Sequence, residues 1–118
     1  MIAVTPHMRI LLGREPLSFR GGIDATVAHC RAVLGEDPIQ GAVLVFRNRK
    51  GTQIRLLVYD GQGYWLMTKR LSTGRFPAWS LPAGDAQSQA ILAHQLQTLV
   101  VGGEWTRASA APMFRKIA

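Results

Sequence analysis

Two glycine-containing turns divide residues 42–71 into three short stretches with the composition of β-strands. In the first turn, residues 48–52, Gly51 stands where a hairpin loop requires a positive φ angle, which glycine adopts without steric cost. In the second turn, residues 60–63, Gly61 has the same requirement. The stretches between the turns are rich in branched and aromatic residues, which favour strands. This segment therefore predicts a three-stranded antiparallel meander.

The two turns also predict which residues face each other across the meander. The first loop pairs Arg47 with Gln53, and the second pairs Tyr59 with Tyr64. Because side chains alternate between the two faces of a sheet, these pairings assign every residue to a face. The predicted core face carries Leu44, Phe46, Ile54, Leu56, Val58, Trp65 and Met67. The other face is predicted to end in a polar cluster of Arg47, Gln53, Arg55, Thr68 and Arg70.

Positive charge is concentrated in and beside the meander. Seven basic residues lie between positions 47 and 75, where Asp60 is the only acid, so this segment accounts for six of the seven net charges. A small basic protein commonly binds a polyanion, because phosphate contacts release condensed counterions. We therefore expect nucleic acid as a partner. Solvation of the protein surface and an acidic protein partner are the alternatives.

A strand and a helix are predicted before the meander. Residues 8–12 form a short apolar run that is typical of a strand. Farther along, four apolar residues recur at spacings of four, three and four, which places them on one helix face. They are Ile23, Val27, Cys30 and Leu34. Gly35 follows, where glycine commonly ends a helix in the left-handed conformation.

A second helix is predicted after the meander, with Asp85 as its cap and Gly102 at its end. Its buried stripe would be Ile91, Leu92, Leu96, Leu99 and Val100. Trp105 is expected to fold back onto the core as an anchor. The predicted fold class is α+β, a small antiparallel sheet with a central three-stranded meander, flanked by two α-helices. We expect a single domain over residues 1–118, ordered at about 8–105, with a loose N-terminal arm and a loose C-terminal tail.

The residues present disfavour several classes of protein. No apolar run reaches the ~18 residues of a membrane helix, and the single cysteine, Cys30, fits a reducing compartment. We therefore expect a cytoplasmic protein without a membrane partner. The seven acids are scattered, unlike the clustered carboxylates of a metal-dependent nuclease, and the three histidines lack the close pairing of a zinc site. Since Cys30 also lies on a predicted buried stripe, we expect no catalytic activity, no metal and no cofactor.

Several short motifs carry a resemblance to a known family. They are GAVLVFRNR at 41–49, LLVYDGQGYWL at 56–66, KRL at 69–71, GRF at 74–76 and LQTLV at 96–100, followed by Gly102 and Trp105. In these motifs and their spacing the chain resembles TnpB, the accessory-protein family of insertion-sequence-66-type bacterial transposable elements. In the loop before the first helix, Arg20 and Gly22 match the family pattern, whereas its acidic and lysine positions are replaced.

The resemblance implies a non-enzymatic helper that acts alongside the transposase of the same element. Together with the charge, it suggests contact with DNA, or with the transposase–DNA complex, through the basic sheet face. The candidate nucleic-acid-binding residues are Arg47, Arg49, Lys50, Arg55, Lys69, Arg70 and Arg75. The alternative is a protein–protein docking module for the transposase that binds no nucleic acid, with Tyr64 and Trp79 as candidate docking residues. The oligomeric state does not follow from these features.

Overall fold

The computed structural model of the protein describes residues 8–77, 79 and 86–107. Five strands and two α-helices lie in this part of the chain. The strands are β1 (Ile10–Gly13), β2 (Val43–Arg47), β3 (Gln53–Tyr59), β4 (Tyr64–Arg70) and β5 (Ser88–Ile91). The helices are α1 (Ile23–His29), which continues as a π-helical turn (Cys30–Leu34), and α2 (Ala93–Val100). Short 3₁₀ turns occupy Pro38–Gln40 and Trp105–Arg107.

The strands form one mixed sheet in the order β4-β3-β2-β1-β5. β1 is parallel to β2, and the other neighbours are antiparallel. The α+β class is confirmed, and β2, β3 and β4 form the predicted antiparallel meander, but the sheet has five strands and is mixed rather than antiparallel throughout. The physical reason lies in the connection from β1 to β2, which contains α1. Parallel neighbours need such a crossover, whereas a hairpin can join only antiparallel strands.

The two hairpins of the meander differ in how well their register was predicted. The β3–β4 register is confirmed, since Tyr59 pairs with Tyr64 and Gln53 pairs with Arg70. The β2–β3 register is wrong by one residue, because Arg47 pairs with Ile54 rather than with Gln53. The Gln53 amide donates to the side-chain oxygen of Asn48 (3.0 Å), while the Asn48 amide donates to the Gln53 carbonyl (3.1 Å). Asn48 thus closes the loop itself and shifts the ladder.

This shift moves every side chain of β2 to the opposite face. Arg47 therefore does not share a face with Arg55 and Arg70, and the predicted cluster of these three arginines does not form. Residues 43–46 are all apolar and all buried, so the sequence of β2 contains no polar residue to mark an outer face.

Both faces of the sheet are covered by packed side chains. One face, beside α1, has a core of Leu11, Val27, Cys30, Ala42, Leu44, Phe46 and Leu57. The other, beside α2, has a core of Ile10, Leu12, Val43, Val45, Ile54, Val58, Phe76, Ile91, Leu96, Leu99 and Trp105. Trp105 is therefore the anchor that the sequence predicted. The cores place the central strands between two apolar layers, which holds the ends of β2, β3 and β4 in fixed positions.

The first helix ends where the sequence predicts, whereas the second begins later than predicted. Gly35 has the expected left-handed conformation after the first helix (φ 65°). The second predicted helix is wrong in its first part, because Ser88–Ile91 is a strand paired with β1 and α2 begins only at Ala93. Leu92, predicted to be buried, is 60% exposed. The predicted cap Asp85, the N-terminal arm at 1–7 and the tail beyond 107 lie outside the described residues.

Candidate functional site

A cleft of about 850 Å³ lies at the end of the sheet where the β2–β3 hairpin turns. Its walls come from the loop at 16–20, from hairpin residues 48–50 and 52–53, and from residues 70–74. These segments meet because Gln53 pairs with Arg70 and because the Leu17 amide donates to the Arg47 carbonyl (3.1 Å). We call this feature the basic cleft.

Four cationic side chains, all of exposed residues, line the basic cleft: Arg20, Arg49, Lys50 and Arg70. None of its lining residues is acidic. Hydroxyl and amide groups are also present, from Ser18, Asn48, Thr52, Gln53, Ser72 and Thr73. The Asn48 side-chain amide donates to the Thr52 hydroxyl (3.1 Å), which orders the hairpin beside the cleft. Cations beside neutral donors are the groups with which proteins hold phosphate oxygens.

Arg55, a predicted nucleic-acid-binding residue, is only 8% exposed and is engaged by the protein itself. Its guanidinium donates to the carbonyls of Gly21 (2.6 Å) and Phe19 (3.1 Å) and to the Thr68 hydroxyl (3.3 Å). It also stacks over the Phe19 ring, 4.4 Å from the centroid. Burial lowers the pKa of Arg55 from its ordinary value, yet an arginine keeps its charge at neutral pH. Arg55 therefore holds the loop that carries Arg20.

Arg47 has a comparable structural role on the opposite face of the sheet. Its guanidinium donates twice to the Phe76 carbonyl (3.2 and 3.3 Å). The Phe76 amide in turn donates to the Gly51 carbonyl (2.8 Å), so the chain after β4 is tied to the hairpin tip. Burial, with a smaller contribution from the charge of Arg75, lowers the pKa of Arg47. Arg47 is thus bound within the fold and is absent from the walls of the cleft.

Lys69 and Arg75 also lie outside the cleft walls. The Lys69 ammonium donates to the Val100 carbonyl (2.6 Å), where it satisfies a backbone acceptor at the end of α2. Arg75 is exposed and directly follows Gly74, the last residue of the wall. Of the seven predicted basic residues, the structure brings Arg49, Lys50 and Arg70 together in the cleft.

The candidate docking residues are partly buried. Tyr64 is half-buried, packs against the core beside α1, and has its ring 5.1 Å from that of Tyr59. Trp79 is half-buried against the core beside α2, and its indole nitrogen donates to the Gly13 carbonyl (2.8 Å). Both residues therefore have structural contacts, and their role in docking stays a prediction.

Two further reactive groups have structural explanations. Cys30 is fully buried, and burial raises the pKa of its thiol to about 12, which keeps it protonated and unreactive. Asp60 accepts from the Trp65 indole (2.7 Å) and from the amides of Gln62 and Gly63. These bonds, the Trp65 bond first, lower the pKa of Asp60. Among the described residues, no group of three or more His, Cys, Asp or Glu side chains could hold a metal ion.

Arg20 is the cationic cleft residue that is absent from the set predicted by local charge. It stands 27 positions before Arg47, outside the basic segment, so the local concentration of charge could not identify it. Its match to the family pattern was the available signal. Only the contact between the 16–20 loop and the hairpin shows that it shares a surface with Arg49 and Lys50.

The chain is similar to a described family over most of its length. The family described as "IS66 Orf2 like protein" matches residues 8–110. This match contains every residue that lines the basic cleft. Within the part of the chain that the structure describes, no helix is long and apolar enough to cross a membrane.

Two similar proteins come from Sinorhizobium fredii. The uncharacterized protein y4jC is 31% identical over 115 residues, which cover 98% of this chain and 96% of that protein. The uncharacterized protein y4hO is 32% identical over 105 residues, with 89% of each chain covered. No solved structure matches the chain.

Proposed function

Because the chain belongs to the family of IS66 Orf2-like proteins, we propose that it is a non-enzymatic accessory protein in the transposition of a bacterial insertion sequence. In this role it binds DNA, alone or in complex with the transposase, through the phosphate backbone. The binding surface is the basic cleft. Compared with the basic sheet face expected from the sequence, this surface keeps Arg49, Lys50 and Arg70 and adds Arg20 at one end of the sheet.

The observation that carries the proposal is the composition of the cleft walls. Arg20, Arg49, Lys50 and Arg70 are exposed and converge there without an acidic residue among the lining side chains. Uncompensated cations in a concave surface reinforce one another's potential, which attracts a polyanion. The neutral lining groups add hydrogen-bond donors that suit phosphate and sugar oxygens.

The structural arginines support the same function indirectly. Arg55 fixes the loop that carries Arg20, and Arg47 ties the hairpin tip to the chain after β4. The 16–20 loop and the hairpin tip are therefore held in place before a ligand binds, which reduces the ordering cost of binding. The aromatic ring that lines the cleft, Phe19, lies under the guanidinium of Arg55. This arrangement favours contact with the backbone over stacking with bases.

DNA binding at several salt concentrations tests the proposal. If the four cleft cations engage about four phosphates, log K for a duplex falls with log[salt] at a slope of about −3 to −4. Replacing Arg49 and Lys50 together by Ala reduces the magnitude of this slope by about two, because each lost phosphate contact removes roughly 0.9 from it. Fluorescence anisotropy with labelled duplex and single-stranded DNA gives both values.

The matched control removes the same charge elsewhere. Arg9 and Arg31 are exposed but paired with Glu36 and Asp37, at 3.2 and 3.4 Å. The double variant Arg9→Ala/Arg31→Ala therefore keeps the slope of the wild type within experimental error. Equal losses in the two double variants would mean that net charge rather than the cleft drives binding. Absence of binding at low salt would refute the proposal.

The alternative, a docking module without nucleic-acid binding, is favoured by one observation. Trp65 and Met67 on β4 are 43% and 37% exposed, which leaves apolar surface at an edge of the sheet. Co-purification with the transposase separates the two functions. Loss of the complex with Trp65→Ala but not with Arg49→Ala/Lys50→Ala, in a protein that binds no DNA, supports docking. Loss of DNA binding with Arg49→Ala/Lys50→Ala but not with Trp65→Ala supports nucleic-acid binding in the cleft.

A further inference from the structure

Strand β4 forms an edge of the sheet and is the longest edge strand, with seven residues. Within the described ranges, β3 is its only partner. An unpaired edge displays backbone N–H and C=O groups that can extend the sheet with another strand. Its exposed Trp65 and Met67 add apolar surface on one face. Along this edge only Arg70, the last residue of β4, also lines the basic cleft.

The hydrogen bonds at both ends of the β3–β4 ladder show which backbone groups point outward. Asp60 donates to Gly63 and Leu71 donates to Thr52, so these pairs are hydrogen-bonded. In an antiparallel ladder, hydrogen-bonded pairs alternate with non-hydrogen-bonded pairs. Trp65, Met67 and Lys69 therefore bond to β3. The residues whose backbone groups face the open edge are Tyr64, Leu66, Thr68 and Arg70.

We propose that β4 pairs with β4 of a second copy of this chain, antiparallel, around a two-fold axis through Met67. In this register Tyr64 faces Arg70 of the second copy, and Leu66 faces its Thr68. Outward-facing backbone groups thus meet outward-facing groups at all four positions, and the whole length of the strand is paired. Met67 faces Met67 of the second copy in a non-hydrogen-bonded pair, where side chains approach most closely.

The charges of β4 favour a second copy over an unrelated strand. Lys69 and Arg70 lie at one end of the strand, whereas Trp65 and its hydrogen-bonded acid Asp60 lie at the other. The two-fold axis brings Lys69, whose ammonium is bonded to the Val100 carbonyl of its own copy, opposite Trp65 of the second copy and near that copy's Asp60. It also brings Arg70 opposite the Tyr64 ring. Cations are attracted to aromatic faces and to carboxylates. Parallel pairing would instead place like charges side by side, which is unfavourable.

The dimer also determines how the two basic clefts are arranged. A two-fold axis through an antiparallel pair runs perpendicular to the sheet and reverses the strand direction, so the two clefts lie toward opposite ends of a ten-stranded sheet. Each Arg70 is three residues from the axis, which separates the two by about 20 Å along the strand direction.

Measurement of the mass in solution tests the proposal. In sedimentation equilibrium over a range of concentrations, the wild type is expected to approach twice the 13.0 kDa of one chain. Met67→Lys places two like charges opposite each other at the axis and weakens the dimer roughly tenfold or more. Leu92→Lys is the matched control, because Leu92 is exposed and directly follows β5 at the other edge of the sheet. This variant remains dimeric.

A cysteine at the axis gives a second measurement, which does not depend on weakening the dimer. The native Cys30 is buried, so Met67→Cys adds the only accessible thiol among the described residues and forms a disulfide-linked dimer under mild oxidation. Leu92→Cys stays a non-covalent dimer that is not cross-linked under the same conditions. A wild type that is monomeric at every concentration refutes the proposal. The edge would then be available for pairing with a strand of another protein. A dimer that tolerates Met67→Lys and is not cross-linked by Met67→Cys refutes it as well.

Discussion

Arg55 and Arg49 have the same side chain and belong to the same hairpin, but their surroundings differ. The Arg55 guanidinium is buried and makes three hydrogen bonds within the protein. Arg49 is exposed at the wall of the cleft. A buried guanidinium must have its donors satisfied, and satisfying them here orders the loop at 16–20. Arg49 keeps its donors available for a ligand.

Replacement of each arginine by alanine separates stability from binding. We expect Arg55→Ala to lower the free energy of unfolding by roughly 2–3 kcal/mol, because it removes charged hydrogen bonds to the carbonyls of Phe19 and Gly21. Arg49→Ala should change it by less than about 0.5 kcal/mol, as exposed substitutions usually do. Urea denaturation measures both values.

The conservative variant Arg55→Lys provides a control for charge. A lysine keeps the positive charge but lacks the planar guanidinium that reaches all three acceptors, so most of the stability loss should remain. If Arg55→Ala were as stable as the wild type but bound DNA more weakly, Arg55 would be a ligand contact and its structural role would be wrong.

At the scale of the element, the β2–β3 hairpin depends on Gly51 for two reasons. Its φ angle is +75°, a backbone conformation that residues with a side chain rarely adopt. A Cβ atom at this position would also collide with the Arg47 guanidinium, which is bonded to the Phe76 carbonyl. The second turn makes a useful comparison, since Gly61 has a φ of +93° but no atom near the position of an added Cβ.

We expect Gly61→Ala to cost about 1–2 kcal/mol of stability, because only the left-handed backbone conformation is penalised. Gly51→Ala should cost at least about 1 kcal/mol more, since it also displaces Arg47 from Phe76. Thermal and urea unfolding measure the difference between the two variants. In an Arg47→Ala background the excess should disappear, as a double-mutant cycle shows. Equal costs in the wild-type background would contradict the proposed contact.

At the scale of the whole molecule, the last described turn of the chain packs into the same core as the first strand. Trp105 is 3% exposed and belongs to the same cluster as Ile10 and Leu12 of β1. The cluster also contains Leu96 and Leu99 of α2. The C-terminal turn therefore stabilises the centre of the sheet by contacts that are distant in sequence.

Truncation of this anchor should affect global stability. We expect Trp105→Ala to lower the free energy of unfolding by about 3–5 kcal/mol, because it leaves a large cavity in the core. Val101→Ala is the control, since Val101 is 72% exposed, and should change stability by less than about 0.5 kcal/mol. Urea denaturation measures both. A small effect of the Trp105 variant would mean that the turn contributes little to the core.

Particular residues show how far the fold and the candidate site follow from sequence. Gly35, Gly51 and Gly61 were predicted correctly because a positive φ angle is a local requirement. The β3–β4 register follows from the second turn. The prediction of helix for residues 88–91, in contrast, is wrong. Their pairing with β1 is a tertiary contact, and it overrides a weak local preference.

The candidate site could also be predicted only where it depends on local features. Arg49, Lys50 and Arg70 lie where the local charge indicated. Arg47 and Arg55 were assigned to one cluster, but burial and register give them structural hydrogen bonds on opposite faces. Arg20 was missed, because a loop that is distant in sequence joins the cleft only in the folded chain.

The sequence alone determined the positive-φ glycines of the two turns, the first helix end, the basic charge and the family, because each is carried by local residues or by their spacing. Only the tertiary structure decided which arginines remain available at the surface. A guanidinium has the same charge in either setting, and its role depends on whether backbone carbonyls or solvent surround it. In residues 43–46 both faces are apolar, so the apolar pattern could not select the β2 register; the hydrogen bonds between Asn48 and Gln53 and the packing against both helical layers select it.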